Sequence, residues 1–327
     1  MYDSSDDLFV HMHNSSLFVD ELFRDRSMAE DRNIAVIIIL STLILISLIG
    51  NLMVVLISVF YPRLRSVNVM FILNLALSDL LSTVGLMFWF YNNVWSLNYG
   101  DEMCEDTGFA QSAGFYSSVL FLVLISVQCY QAVVHPVSDW KYRHLIAFVL
   151  WMVSFYAALP SMVHIIKQPL STDCMYRNTG LLLIVIYRQN IVFVFTFLFM
   201  GFCYIRILQT ILKSATNQNQ RHRTTGLAFF LAATFFICWA PYNIMTFMHT
   251  LNLPYISPLN LKHFLFAFYI CRLLAFSRCL NPVIYCLFGL KFRQTAREIL
   301  QRRATSAETQ TEERHSGTTS ETPVLLN

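Results

Sequence analysis

Asp79 is the sole charged residue of the run 67–92, standing at the end of Asn74-Leu75-Ala76-Leu77-Ser78-Asp79. A carboxyl group among apolar neighbours is either a neutral, hydrogen-bonded acid or an ion or switch site. Asn51, Ser118 and Asn281 lie inside other apolar runs and would build such a site with it. Arg278 lies three residues before Asn281. Opposite charge at matching depth predicts that Arg278 pairs with Asp79, in the place a bound sodium ion would otherwise take. Pro241, in Cys238-Trp239-Ala240-Pro241-Tyr242-Asn243, removes a helix hydrogen bond beside a large aromatic, which suits a pivot. Pro282, in Asn281-Pro282-Val283-Ile284-Tyr285, makes a second break, with Tyr285 one turn inward. No metal-ligand cluster and no nucleophile arrangement occurs, so neither an enzyme nor a cofactor is expected.

Long apolar runs carry all of these residues. Of 327 residues, 56% are hydrophobic and 13% charged, where a soluble domain has about 25% charged. Mean hydropathy is +0.51. The charges crowd the two ends and a few connectors, which marks an integral membrane protein. A net charge of +3 with no basic run excludes nucleic acid as a partner. The run 104–136 organises the rest: between Asp106 and Asp139 there is no Asp, Glu, Lys or Arg, longer than the roughly 20 residues a bilayer needs. Further spans are read at 33–60, 67–92, 146–165, 182–212, 226–251 and 263–288, making an all-α bundle of seven transmembrane helices. Residues 289–303 read as a short amphipathic eighth helix on the membrane surface. Residues 304–327, rich in Ser, Thr and Glu, read as a disordered tail.

Arg63, Arg65, Lys141, Arg143, Lys213, Arg221, Arg223, Lys291 and Arg293 fall on one side, which the positive-inside rule makes cytoplasmic. The acidic tail 1–32 is then extracellular at a cell membrane, and Asn14-Ser15-Ser16 within it is a glycosylation acceptor pattern. The opening residues lack an apolar core, so the first span is expected to act as insertion signal. Six of the cysteines sit in apolar runs. Cys104 and Cys174 lie at span edges among polar residues, the pair expected to form a disulfide if that face is outside. Arg272 and Arg188 would line a cavity at the outer end, or either would snorkel to lipid head groups.

With Gly50-Asn51, Trp151, Tyr204 and the motifs quoted above, residues 33–303 closely resemble the rhodopsin-like G-protein-coupled receptors. Trp95, Tyr116, Cys238 through Asn243 and Lys291-Phe292-Arg293 look like a chemokine receptor. The run Ile270-Cys271-Arg272-Leu273-Leu274-Ala275-Phe276-Ser277 and a fifth span without its usual proline look most like the lymphotactin (XC-type) receptors. The resemblance implies a basic protein ligand, steered by the acidic tail and held by Asp101, Glu102, Glu105 and Asp106. Tyr2, beside Asp3, is a sulfation candidate. Ligand would bias an inward–outward equilibrium of the sixth span about Pro241, with Trp239, Pro282, Tyr285 and Tyr204 as switch residues.

Several positions depart from the family pattern. The third span ends in Gln128-Cys129-Tyr130 where the family has Asp-Arg-Tyr, so the residues that would face a heterotrimeric G protein lack the usual arginine. That favours a rival reading, an atypical receptor that binds and internalises ligand without activating G protein. Residues 1–103 and 252–270 hold no cysteine for a second outer disulfide, Met87 replaces a proline, and Arg272 or Cys271 replaces a glutamate. One residue is missing between Phe276 and Asn281. Thr305, Ser306, Thr309, Thr311, Ser316, Thr318, Thr319, Ser320 and Thr322 would be phosphosites for an arrestin-like partner, or merely a solvated tail. A retinal pump is excluded, since no lysine occurs between Lys262 and Lys291, and no transporter repeat is visible.

Overall fold

Lipid offers peptide groups no hydrogen-bond partner, so a crossing segment satisfies its own, and a helix does this residue by residue. The computed structural model of the chain describes residues 30–60, 67–95, 101–134, 141–163, 165–167, 174–176, 179–213, 219–250, 271 and 280–288. They form α1 (Glu30–Phe60), α2 (Val67–Trp95), α3 (Asp101–Val134), α4 (Arg143–Val163), α5 (Thr179–Lys213), α6 (Asn219–Thr250) and α7 (Leu280–Phe288). Each of α1 to α6 holds a stretch long and apolar enough to cross a membrane. The expected all-α membrane bundle is therefore the observed one, with α7 the described part of the seventh run. Hydroxyl side chains inside the spans turn back on their own helices: Ser78 donates to the Asn74 carbonyl, Ser126 to Leu122 and Ser154 to Leu150.

α1, α3, α4, α5 and α6 begin earlier than apolarity alone suggests. α3 starts at Asp101, so the acids expected on a rim occupy its opening turns, where the helix dipole favours negative charge. α5 and α6 likewise extend past the apolar runs, because polar residues continue a helix once it leaves lipid. The connector after α4 also carries two short strands. β1 (Ile165–Lys167) and β2 (Cys174–Tyr176) pair antiparallel in the register Ile165↔Tyr176, Ile166↔Met175, Lys167↔Cys174. Strands of three residues are too short for alternation to show in a sequence.

α3 is the hub: it packs against α2, α4, α5, α6 and β1, while α1 reaches α2 and α7, and α6 reaches α7. Between membrane helices no hydrophobic drive operates, so close approach of small residues carries the packing. α4 buries only Ala147, Ser154, Ala158 and Ser161 and turns Phe148, Met152, Tyr156 and Leu159 to the lipid. Ser112 on α3 donates to Ser161 at 2.7 Å. The α2–α3 seam is tighter still. A Cβ on Gly85 would stand 3.0 Å from Gln111 Cγ and 3.2 Å from Ala110 Cβ, and one on Gly114 would overlap Ser82. A Cβ on Gly50 of α1 would overlap the Pro282 ring of α7.

Substituting Gly114→Ala therefore overpacks the seam, with an expected cost of about 1–3 kcal/mol. Thermal unfolding of the purified protein in nanodiscs should show a lowered midpoint for Gly114→Ala. Gly201→Ala, where nothing lies within 4 Å, should leave the midpoint unchanged.

Candidate functional site

Asp79 is 0% exposed, between α2, α3 and α7. Ser118 Oγ donates to its Oδ1 at 3.2 Å and Asn281 Nδ2 donates to its Oδ2 at 2.6 Å. The second bond joins residues far apart in the chain and ties α7 to α2. Asn51, the other expected member, reaches Asp79 indirectly. Asn51 Nδ2 donates to Ser47 Oγ at 3.3 Å and to the Ser47 carbonyl at 3.0 Å. Ser47 Oγ and Thr83 Oγ1 are 2.7 Å apart, and Thr83 Oγ1 donates to the Asp79 carbonyl at 2.7 Å. A hydroxyl has one proton. Since Thr83 gives its proton to Asp79, Ser47 must be the donor between the two hydroxyls. The chain Asn51→Ser47→Thr83→Asp79 thus runs in one direction and joins α1 to α2. Asn51 Oδ1 and Ser82 Oγ are buried and have no hydrogen-bond partner among the described residues.

A second constellation lies around Trp239 of α6, which is 0% exposed. Its ring is 4.4 Å from Phe115, 5.9 Å from Phe235 and 5.8 Å from Tyr242, centroid to centroid. Tyr116 meets Phe115 edge-on at 5.2 Å, and the Arg188 Cζ lies 5.2 Å from the Tyr116 centroid. Arg188 is therefore turned into the bundle and does not snorkel to lipid. The contact path Arg188–Tyr116–Phe115–Trp239 crosses α5, α3 and α6. Two residues beyond Trp239, Pro241 lies within a helix that continues to Thr250. Lacking an N–H, Pro241 leaves the Ile237 carbonyl without its usual helix partner. Asn243 Nδ2 bonds the Trp239 carbonyl at 2.8 Å, bridging the same turn from the side chain.

At the far end of α3, Gln128 and Cys129 are packed inward. Cys129 is 4% exposed and belongs to the core, and Gln128 Oε1 is buried without a partner among the described residues. Ser126 Oγ and the Tyr204 hydroxyl are 3.1 Å apart, and since the Ser126 proton goes to the Leu122 carbonyl, the Tyr204 hydroxyl is the donor; the Tyr204 ring sits edge-on to Phe229 at 5.4 Å. The Tyr130 ring lies 6.4 Å from that of Phe202.

Among the acids of the other end, Glu102 and Asp106 are exposed and Glu105 half-buried. Cys104 is buried and disulfide-bonded; Cys174, its expected partner, opens β2, and β1 packs on α3. Tyr2, Asn14, Arg272, Arg278 and the stretches 289–303 and 304–327 lie outside the described residues. So do the side chains of Trp95, Asp101, Cys174 and Tyr285. Sequence reasoning missed Ser47, Thr83 and Ser82, although Ser47 and Thr83 stand one helical turn from Asn51 and Asp79 and that spacing could have found them. It also missed the bond from Trp151 Nε1 to Asn74 Oδ1, 2.9 Å long, which fixes α4 on α2.

Residues 50–285 match the family described as 7 transmembrane receptor (rhodopsin family). The chain is similar to chemokine XC receptor 1 of Mus musculus, 33% identical over 306 residues, covering 92% of this chain and 89% of the relative. Its similarity to chemokine XC receptor 1 of Homo sapiens is 34% over 265 residues, 79% of this chain and 78% of the other. C-X-C chemokine receptor type 2 of Mus musculus is 33% identical over 287 residues, 83% of this chain and 79% of that one.

Breaking the relay should cost more than its loss of bulk. Thr83→Val removes a donor and strands the buried Ser47 hydroxyl, so we expect about 1–3 kcal/mol of destabilisation, while Thr83→Ser retains the bonds. Asn281→Ala should destabilise more than Ser118→Ala, since the Asn281 contact to Asp79 is shorter. Thermal midpoints of the four variants in nanodiscs check both rankings.

Proposed function

This chain belongs to the rhodopsin family of 7-transmembrane receptors, in its chemokine-receptor branch, and we propose that it takes up a basic chemokine at the cell surface and signals through α6 and α7. In this reading the Cys104 end is extracellular, together with the amino-terminal tail, and the Tyr130 end is cytoplasmic. Exposed Glu102 and Asp106 would attract a cationic protein. The disulfide of Cys104 goes to Cys174 and pins the β1–β2 hairpin to the top of α3. The observation that carries the signalling role is the unbroken contact from Arg188 through Tyr116 and Phe115 to Trp239. A ligand that shifts Arg188 or Tyr116 displaces the aromatic stack beside Pro241, where α6 has already lost a backbone bond. A two-state helix biased in that way moves its cytoplasmic end.

Asp79, Ser118, Asn281 and, through its unpaired Oδ1, Asn51 form an oxygen-rich donor set of the kind hard cations take. In our reading those residues would hold sodium were Arg278 not opposite, and its guanidinium takes the ion's place. Arg278→His should then give ligand binding a sensitivity to sodium that the native receptor lacks, measured by radioligand displacement across a salt series against a choline control. No gain in sensitivity counts against the idea.

A second reading rests on Cys129. Buried among core residues, it presents no charge to a cytoplasmic partner, which favours an atypical receptor that internalises its ligand without activating G protein. An arrestin would then read the Ser- and Thr-rich tail. Nucleotide exchange on G protein in membranes, measured with a panel of chemokines, separates the two. Signalling predicts exchange by the native chain. The atypical reading predicts binding and uptake without exchange, with exchange gained by Gln128→Asp combined with Cys129→Arg. If no chemokine binds, both readings fail.

A further inference from the structure

A cation in the bundle core ordinarily has an anion beside it, because an unpaired buried charge is costly. Arg188 is half-buried and lies about 7–8 Å along the helix axis from Leu183, where the membrane stretch of α5 opens. Its Nε and Nη2 are buried and have no hydrogen-bond partner among the described residues. No described carboxylate is positioned to serve. α5 and α6 contain no acidic residue. The nearest acid on α3, Asp106, is ten residues from Tyr116, about 15 Å along the axis. The Asp79 carboxylate accepts from Ser118 and Asn281 deeper in the bundle.

Which two donors are unpaired is informative. Nε and Nη2 form one edge of the planar guanidinium, the edge that engages both oxygens of a carboxylate in parallel. The group is already placed, with its Cζ 5.2 Å from the centroid of the Tyr116 ring. That ring is in turn fixed by Phe115. The guanidinium is thus oriented by an aromatic platform while its chelating edge has no partner from the described chain.

We propose that Arg188, seated on Tyr116, is a carboxylate-binding subsite that receives an acidic side chain from the ligand segment entering the bundle. This deepens the proposed receptor function and rests on it for the identity of the ligand as a protein. A chemokine that is basic overall is then steered by the acids near Cys104 and recognised at depth by one acid of its own. Pairing there would draw Arg188 against Tyr116 and so reach Trp239 through Phe115. Ligands with a neutral residue at that position would bind the rim and leave the stack unmoved.

The test uses the full-length receptor in nanodiscs of neutral phosphatidylcholine, which removes anionic head groups as a source of the anion. The probe is N-acetylglutamic acid α-amide, with a single side-chain carboxylate, set against N-acetylglutamine amide and inorganic phosphate at matched ionic strength. The acid should raise the thermal midpoint of the native receptor in a saturable way, the neutral amide should not, and Arg188→Met should abolish the response. Without probe, Arg188→Met should unfold about 2–4 °C higher than the native chain, because a cation without a partner is removed. A lower midpoint for Arg188→Met means the guanidinium is a structural support and overturns the proposal. So does an equal response of native and variant, no response to the acid, or a response to phosphate of the same size. The probe is not a chemokine, so failure here is distinct from failure of the ligand panel.

Discussion

A carboxyl group in a lipid-embedded interior must be answered by hydrogen bonds from its neighbours, and most of this bundle is arranged to answer Asp79. Its carboxylate holds α3 through Ser118 and α7 through Asn281. Its main-chain carbonyl, through Thr83 and Ser47, holds Asn51 of α1. Four helices are thereby referred to one residue. In lipid the alternative to these bonds is no bond at all, so the polar centre specifies how the apolar surfaces of the helices align. The apolar surfaces alone could not, because Leu against Leu and Leu against lipid differ little in free energy.

Two layers with different physics are stacked along α3. Around Asp79 the contacts are directional and short. Around Trp239 they are aromatic, with centroids 4.4 Å to 5.9 Å apart and many neighbouring orientations of comparable energy. The first layer resists sliding of α1, α2, α3 and α7, and the second tolerates rotation of α6 against α3. At the Tyr130 end a third arrangement operates, with Cys129 in the core and Tyr204 held by Ser126. Sulfur, hydroxyl and ring contacts there close α3, α5 and α6 on one another without a net charge.

Membrane helices are legible in sequence because lipid imposes a single requirement on composition, and six of the seven apolar runs reported a helix of membrane-crossing length among the described residues. Asp79, Ser118, Asn281 and Trp239 were legible for the same reason: they are polar or bulky where polarity or bulk is costly. Ser47 and Thr83 were not, since a hydroxyl that turns back on its own helix is common in any span and does not announce a second partner. The helix ends beyond lipid were misjudged, as at Asp101, because apolarity marks the membrane and not the helix. The partnership of Arg188 with Tyr116 was also hidden. An arginine near a span edge reads equally as snorkelling or as buried, and only the facing of α3 toward α5 decides it.

The α2–α3 seam has a further consequence. Gly114 against Ser82 and Gly85 against Ala110 and Gln111 bring two backbones closer than any larger residue would permit. Such a pair behaves as one rigid mast, since sliding by even a fraction of a turn drives side-chain atoms into main chain. Displacements elsewhere in the bundle are then measured against it, and spectroscopic labels on α2 and α3 would serve as a fixed datum from which the travel of other helices can be gauged. The seam also excludes any larger side chain at Gly85 and Gly114, for a reason of shape and not of chemistry.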